Sequence, residues 1–208
     1  MHNTKSVIFD FGGVLLDLDM EKTRQGFIGL GIAHFDQLFT LYKASSLFED
    51  LETGKVEPAA FMEGIRKEAG RDVTNEAVVS AWNDMLGGFR TESLDFVRKL
   101  KQQMPVFLYS NTNIIHYECF IERLKQTTPY QGMDELFLKA YYSHEMGMRK
   151  PHADGYLKIL TENRLEPATT LFVDDNKDNI RGAADVGLQT HLLLPDERIE
   201  NVLASLIG

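Results

Sequence analysis

From Thr170 to Gly187 the chain reads TLFVDDNKDNIRGAADVG. Thr170 to Asp174 is almost continuously apolar rather than alternating, as a parallel strand covered on both faces is. Asp174 and Asp175 close the run. A helical pattern follows from Asn179 to Val186, with Gly187 placed to cap its end. A buried strand that passes directly into a helix is the repeating unit of a parallel α/β sheet.

The same unit recurs on either side. Ser6 to Asp10 (SVIFD), Val106 to Ser110 (VFLYS), Phe137 to Ser143 (FLKAYYS) and Thr190 to Leu194 (THLLL) read as further strands. Thr91 to Gln102, Ile114 to Lys125 and Ala153 to Asn163 read as helices between them. The pattern predicts a doubly wound parallel sheet. Asp17 to Gly88 interrupts it with no strand-like run, only amphipathic pieces at Asp19 to Leu30, Phe35 to Ser46, Pro58 to Gly70 and Asn75 to Met85. In the second piece Phe35, Leu38, Phe39 and Tyr42 recur at helical spacing, as a core stripe does. The interval is too long for a loop in a compact domain. The expectation is an all-helical unit, residues 17–88, inserted after the first strand of a core made of residues 1–16 and 89–208. Most of its aromatic residues, Phe27, Phe39, Phe48, Phe61 and Trp82, should form its own core.

Composition narrows the partners. With 22 Lys+Arg against 31 Asp+Glu, the 208 residues carry a formal charge of −9, which argues against nucleic acid and anionic membrane surfaces. No apolar run approaches the ~20 residues of a membrane span, and MHNTKS leads into VIF without an apolar signal core. Cys119 is the single cysteine, so no internal disulfide forms. These features predict a soluble cytoplasmic protein. Oligomeric state has no signal in the sequence.

Function is concentrated where the strands end. The first finishes in Asp10, the second in Ser110, the fourth in Asp174 with Asp175 after it, and Lys150 follows the third. Ligands of open parallel sheets bind outside the carboxyl ends of the strands, so these groups should meet in one cleft. Gathered carboxylates repel one another and lose solvation; Mg²⁺ with a substrate phosphate is the usual partner for such oxygen ligands. Gly12 and Gly13 let backbone N–H groups turn toward an anion. Ser110 and Asn111 add neutral hydrogen-bonding groups, and Lys150 adds a positive charge. The set fits phosphoryl transfer to an aspartate nucleophile.

VIFDFGGVL (Val7 to Leu15), LYSNTN (Leu108 to Asn113), GMRKP (Gly147 to Pro151) and FVDDNKDNIRGAADVG (Phe172 to Gly187) resemble, in order, the four motifs of the haloacid dehalogenase superfamily. Their wording is most similar to its sugar-phosphatase branch, that of the α-D-glucose-1-phosphate phosphatases. The resemblance implies that Asp10 is nucleophile and metal ligand, and that the Gly12 carbonyl and Asp175 also bind Mg²⁺. Asp174 and Asn179 would stand behind them or reach the metal through water. It further implies that Ser110 and Asn111 hold the phosphate with Gly13 beside them, that Lys150 braces nucleophile and phosphate, and that the inserted unit is a cap closing over the cleft. The implied activity is Mg²⁺-dependent hydrolysis of a small phosphorylated metabolite such as glucose 1-phosphate.

One position departs from the superfamily's phosphatases. The general acid–base Asp usually found two residues after the nucleophile is here Gly12. Asp17, Asp19 and His116 are candidate substitutes, and the sequence singles out none of them. Without that group the enzyme should be slow or should favour good leaving groups. The departure also keeps two alternatives open: a carbon–halogen hydrolase, and a non-catalytic phosphate-binding protein.

Overall fold

The computed structural model describes residues 3–36 and 47–206. Strands β1 (Ser6–Phe9), β4 (Val106–Ser110), β5 (Lys139–Tyr142), β6 (Thr170–Asp174) and β7 (Gln189–Leu192) form one sheet in the order β5-β4-β1-β6-β7, every pair parallel. β1, β4 and β6 are buried throughout, whereas β7 on one edge is half-buried. That is why the central strands read as continuous apolar runs and the edges do not. The strand predicted over Phe137 to Ser143 begins only at Lys139, because Met133–Glu135 forms a short 3₁₀ turn and Leu138 is exposed, and it ends at Tyr142, where the short helix α7 (Ser143–Met146) begins.

Alternate strand residues enter different layers. Val7, Phe9, Leu108 and Val173 pack with α5 (Thr91–Lys101) and α6 (Ile114–Thr127). Ile8, Phe107, Tyr109 and Phe172 pack with α8 (Ala153–Asn163) and α9 (Lys177–Asp185). Helices on both faces make the sheet doubly wound, as expected. α9 starts earlier than the apolar pattern suggests, because the Asn176 side chain accepts from the Asp178 and Asn179 N–H groups. Gly187, at φ +87°, follows its end.

Between β1 and α5 lie α1 (Met20–Gly29), α2 (Leu47–Glu52), α3 (Pro58–Ala69) and α4 (Asn75–Asn83). The piece predicted over Phe35 to Ser46, with Leu38, Phe39 and Tyr42, falls outside the described residues except for Phe35 and Asp36; Phe35 is buried and stacked on Phe27. Phe48, Phe61 and Phe27 surround Trp82 at centroid distances of 5.0, 5.4 and 6.1 Å. Complete burial of each such ring contributes ~1.5–3 kcal/mol. This cluster is continuous with the first layer of the sheet, so the insertion is seated on the core rather than tethered to it.

The expectation of no strand in the interval fails at its two ends. β2 (Leu16–Leu18) and β3 (Leu86–Phe89) pair antiparallel, Leu16 opposite Phe89 and Leu18 opposite Leu86. LDL is too short to show alternation and LGGF has two glycines, so neither carries a strand signal; they pair because the chain leaves and re-enters the core at one place. Cys119 is half-buried against the core. No helix among the described residues is long and apolar enough to cross a membrane.

Candidate active site

The register of the sheet assembles the site. Phe9 stands opposite Leu108 on one side and Val173 on the other. Asp10, Ser110 and Asp174 therefore end three neighbouring strands, with the Asp10 N–H bonded to the Val173 carbonyl at 2.8 Å. Here β6 lies across β1 from β4 and β5, which makes this the point where the strand order reverses, the expected place for a ligand crevice.

Lys150 reaches into this corner from the loop before α8. Its Nζ lies 2.6 Å from Asp10 Oδ1 and 2.8 Å from Asp174 Oδ2, and the side chain is 1% exposed. Asp174 is fully buried and fully engaged: its oxygens also accept from the Asn176 N–H at 2.8 Å and from Asn179 Nδ2 at 3.2 and 3.0 Å. Carboxylate oxygens of Asp10, Asp174 and Asp175 all lie within 4.8 Å of one another. Burial, then the charge of Asp174, raises Asp10 to about 7 despite Lys150, and the same two causes raise Asp175. For Lys150 burial acts against the charge, but Asp10 and Asp174 outweigh it and hold its pKa above the ordinary value. The corner thus favours an ammonium at Lys150 and resists a third carboxylate charge.

The loop after β1 is shaped for Asp175. Gly13 has φ +77°, and a Cβ there would overlap the Asp175 carboxylate. Gly13 does not present its N–H to an anion, as its sequence suggested, because that group bonds the Leu16 carbonyl at 2.8 Å. The Phe11 carbonyl accepts from Val14, Leu15 and Leu16, and the loop's own bonds leave the Gly12 carbonyl over. Arg90 braces the turn from below through the Gly13 and Val14 carbonyls and Asp17. Nothing in the sequence marked Arg90, which joins this loop across more than seventy positions.

The Asn111 side chain is bonded within the protein. Its Oδ1 accepts from the Lys150 N–H and its Nδ2 donates to the Lys150 carbonyl, both at 2.9 Å. The side chain is a clamp on the backbone that carries Lys150. Ser110 is buried beside it.

Two cavities meet at this point. One holds Asp10, Lys150, Asp175 and Asn179. The other, about 220 Å³, runs beneath the insertion from Ser110 and Thr112 past Phe11, Leu86, Phe120 and His116 to Phe48, Trp82, Glu49 and Glu52. Gly12, Leu18, Asn111 and Arg149 line both. Arg149 pairs with Glu49 at 3.6 Å and Glu52 at 3.0 Å, joining α2 to the Lys150 loop. In the turn after α2, Gly54 at φ +67° lies so close to the His144 carbonyl that a Cβ would overlap it. Phe48 and Trp82 thus serve both the aromatic cluster and the cavity wall.

Of the three candidate substitutes for the missing acid, only His116 lines the cavities at the site; Asp17 and Asp19 line neither. Asp17 is paired with Arg90 at 2.7 Å, and Asp19 caps α1. His116 is buried, which lowers its pKa to about 3, so its ring is uncharged near neutral pH and is not an imidazolium acid. At position 12 a Cβ would sit 2.6 Å from Leu18 Cδ1.

A buried carboxylate held by a buried lysine, with an acidic pair beside it, at the ends of adjacent parallel strands makes a candidate hydrolase site. The chain belongs to the haloacid dehalogenase-like hydrolases, whose family model matches residues 4–187. It is similar to D-ribitol-5-phosphate phosphatase of Bacteroides thetaiotaomicron, 31% identical over 188 residues, which are 89% of this chain and 90% of that one. It is also similar to the sesquiterpene phosphatase astK of Aspergillus oryzae, 27% identical over 186 residues, or 88% and 87% of the two chains. Among solved structures, a wild-type HAD family enzyme of B. thetaiotaomicron in complex with magnesium and inorganic phosphate matches at a TM-score of 0.86 and 31% identity, over 96% of this chain and 98% of that one. The chain is a phosphoric monoester hydrolase of this family.

Proposed function

We propose that this protein is a Mg²⁺-dependent cytoplasmic phosphatase of small polyhydroxylated phosphate esters, a sugar or sugar-alcohol phosphate, acting through an aspartyl-phosphate on Asp10. The observation that carries this reading is the charge arrangement: three carboxylates within 4.8 Å around a single buried ammonium. One positive charge against three negative ones leaves room for a divalent cation. Asp174 is saturated by Lys150, Asn176 and Asn179, so Asp10, Asp175 and the Gly12 carbonyl would hold Mg²⁺. When bound, Mg²⁺ supplies positive charge against the phosphoryl oxygens and helps orient the ester.

The chain's own residues account for the remaining steps. Lys150 holds Asp10 by Oδ1, which leaves Oδ2 to attack phosphorus. A new P–O bond forms to Asp10, the ester P–O bond breaks, and the alcohol departs with a proton taken from water. A water molecule then attacks phosphorus, the bond from phosphorus to the Asp10 oxygen breaks to restore the carboxylate, and the proton this water loses neutralises the hydroxide left by the first as inorganic phosphate leaves. Lys150 offsets charge on the phosphoryl group, and the Ser110 hydroxyl donates to it. Because Gly12 supplies no proton, poor leaving groups lose a contribution that is typically ~10²–10⁴-fold.

The similarity to D-ribitol-5-phosphate phosphatase and to an enzyme solved with magnesium and inorganic phosphate supports this reading. A carbon–halogen hydrolase needs no cation and gives the acidic pair no use. Turnover of D-ribitol 5-phosphate, glucose 1-phosphate and p-nitrophenyl phosphate, with Mg²⁺ and in chelator, tests it. Mg²⁺-dependent release of phosphate, abolished in Asp10→Asn and Asp10→Ala, is expected. Undiminished turnover by either variant removes the nucleophile. Halide release in chelator installs the dehalogenase instead, and no turnover of any ester leaves a binding protein.

A further inference from the structure

The cavity beneath the insertion is walled near Ser110 by Phe11, Met85, Leu86, Phe120 and Trp82, and His116 is the polar ring among them. His116 is 7% exposed and stacked on Trp82, with ring centroids 4.8 Å apart and planes 20° from parallel. Its Nδ1 lies 2.8 Å from Asn83 Oδ1. An amide oxygen only accepts, so Nδ1 carries the ring proton and Nε2 keeps its lone pair. Burial keeps the ring neutral.

We infer that His116 is a specificity-determining residue whose Nε2 accepts a hydrogen bond from a hydroxyl of the leaving alcohol, with Asn83 as the positioning residue that fixes its tautomer. The inference rests on the phosphatase reading and identifies what its cavity selects. A neutral acceptor in an apolar wall is met by a hydroxyl. A carboxylate would oppose the lone pair, and an ammonium would be desolvated without a counter-charge, since Glu49 and Glu52 are already paired with Arg149. The apolar residues around His116 suit the C–H groups of the same polyol. A site built to bond a hydroxyl discriminates strongly against the analogue that lacks it, because its own polar group is then left unpaired.

The test compares kcat/KM for D-ribitol 5-phosphate and n-pentyl phosphate, esters of equal chain length with and without free hydroxyls. His116→Phe keeps an aromatic ring and removes the acceptor; it should lower kcat/KM for the ribitol ester about ten- to a hundred-fold and change the pentyl ester less than about three-fold. His116→Gln, which restores an acceptor, should recover part of the loss. Asn83→Leu should reproduce the selective loss. Ring nitrogen chemical shifts should show the Nδ1–H tautomer in the wild type and its loss in Asn83→Leu. Equal losses on both esters, an unchanged ribitol ester or an Nε2–H tautomer in the wild type would overturn the assignment while leaving the phosphatase reading intact. Failure of the wild type to hydrolyse either ester with Mg²⁺ overturns both.

Discussion

Asp10 makes the metal-free protein's stability depend on pH in an unusual direction. Its carboxyl is raised from 3.8 to about 7, chiefly by burial and then by Asp174. The folded state therefore holds a proton that the unfolded state releases. The resulting stabilisation is complete below about pH 4 and is lost as pH rises through about 7. At about 1.4 kcal/mol per pH unit a shift of this size is worth a few kcal/mol, most of which falls between pH 5 and pH 8. Asp10→Asn cannot titrate, so the difference between wild type and variant separates the Asp10, Asp174 and Asp175 cluster from carboxylates elsewhere in the chain. Urea unfolding in chelator at fixed ionic strength should show the wild type losing about 2 kcal/mol or more relative to Asp10→Asn over that range. With m near ~2 kcal/mol/M this moves the midpoint by about 1 M. Mg²⁺ takes the place of the proton, so it should stabilise the wild type more at pH 8 than at pH 5. A difference that stays flat or grows with pH would refute the charge arrangement on which the metal site rests.

Other perturbations probe single parts of the site. Gly13→Ala should cost ~1–2 kcal/mol for the left-handed backbone and raise the Mg²⁺ concentration for half-activation at least about ten-fold by displacing Asp175. Gly70→Ala, also at positive φ but with open space around it, should show only the backbone cost, and an equal Mg²⁺ effect in both would contradict the role given to Gly13. Asn111→Ala should destabilise by ~1–3 kcal/mol, since the Lys150 N–H and carbonyl lose their partners, while inhibition by inorganic phosphate weakens less than in Lys150→Met. The reverse order would return Asn111 to the phosphate.

Asp10, Ser110, Lys150, Asp174 and Asp175 were legible because a parallel sheet presents the ends of its strands at one edge, and a strand end can be read from its apolar run. Their detailed roles were less legible. Gly13 was expected to offer its N–H to an anion, and that group is engaged with Leu16; the Asn111 side chain is held by the Lys150 backbone, which its place beside Ser110 did not foretell. Hydrogen-bond partners in a loop depend on the path of the chain, which residue type leaves undetermined. Arg90 and Asn83 were invisible for another reason. Each acts on a residue far along the chain, and neither lies in a patterned strand end. The β2–β3 pair went unread because strands of three and four residues are too short to show a period.

Leu18 connects the missing acid to the shape of the site. It belongs to β2, the first step out of the core, and lines both the carboxylate cleft and the leaving-group cavity. A side chain at position 12 and the Leu18 methyl group compete for one volume, 2.6 Å from Cβ to Cδ1. Gly12→Asp alone should therefore act weakly, since Leu18, itself 46% exposed, must swing aside. Gly12→Asp with Leu18→Ala opens that volume and places a carboxyl two residues after Asp10, the proposed nucleophile. If the absent proton donor limits the reaction, the double variant should raise kcat for D-ribitol 5-phosphate by up to ~10²-fold and for p-nitrophenyl phosphate, whose leaving group departs without a proton, by less than about three-fold. Equal gains on the two esters would mean that Leu18 merely obstructs the cavity, and no gain on either would mean that a step other than departure of the alcohol limits turnover.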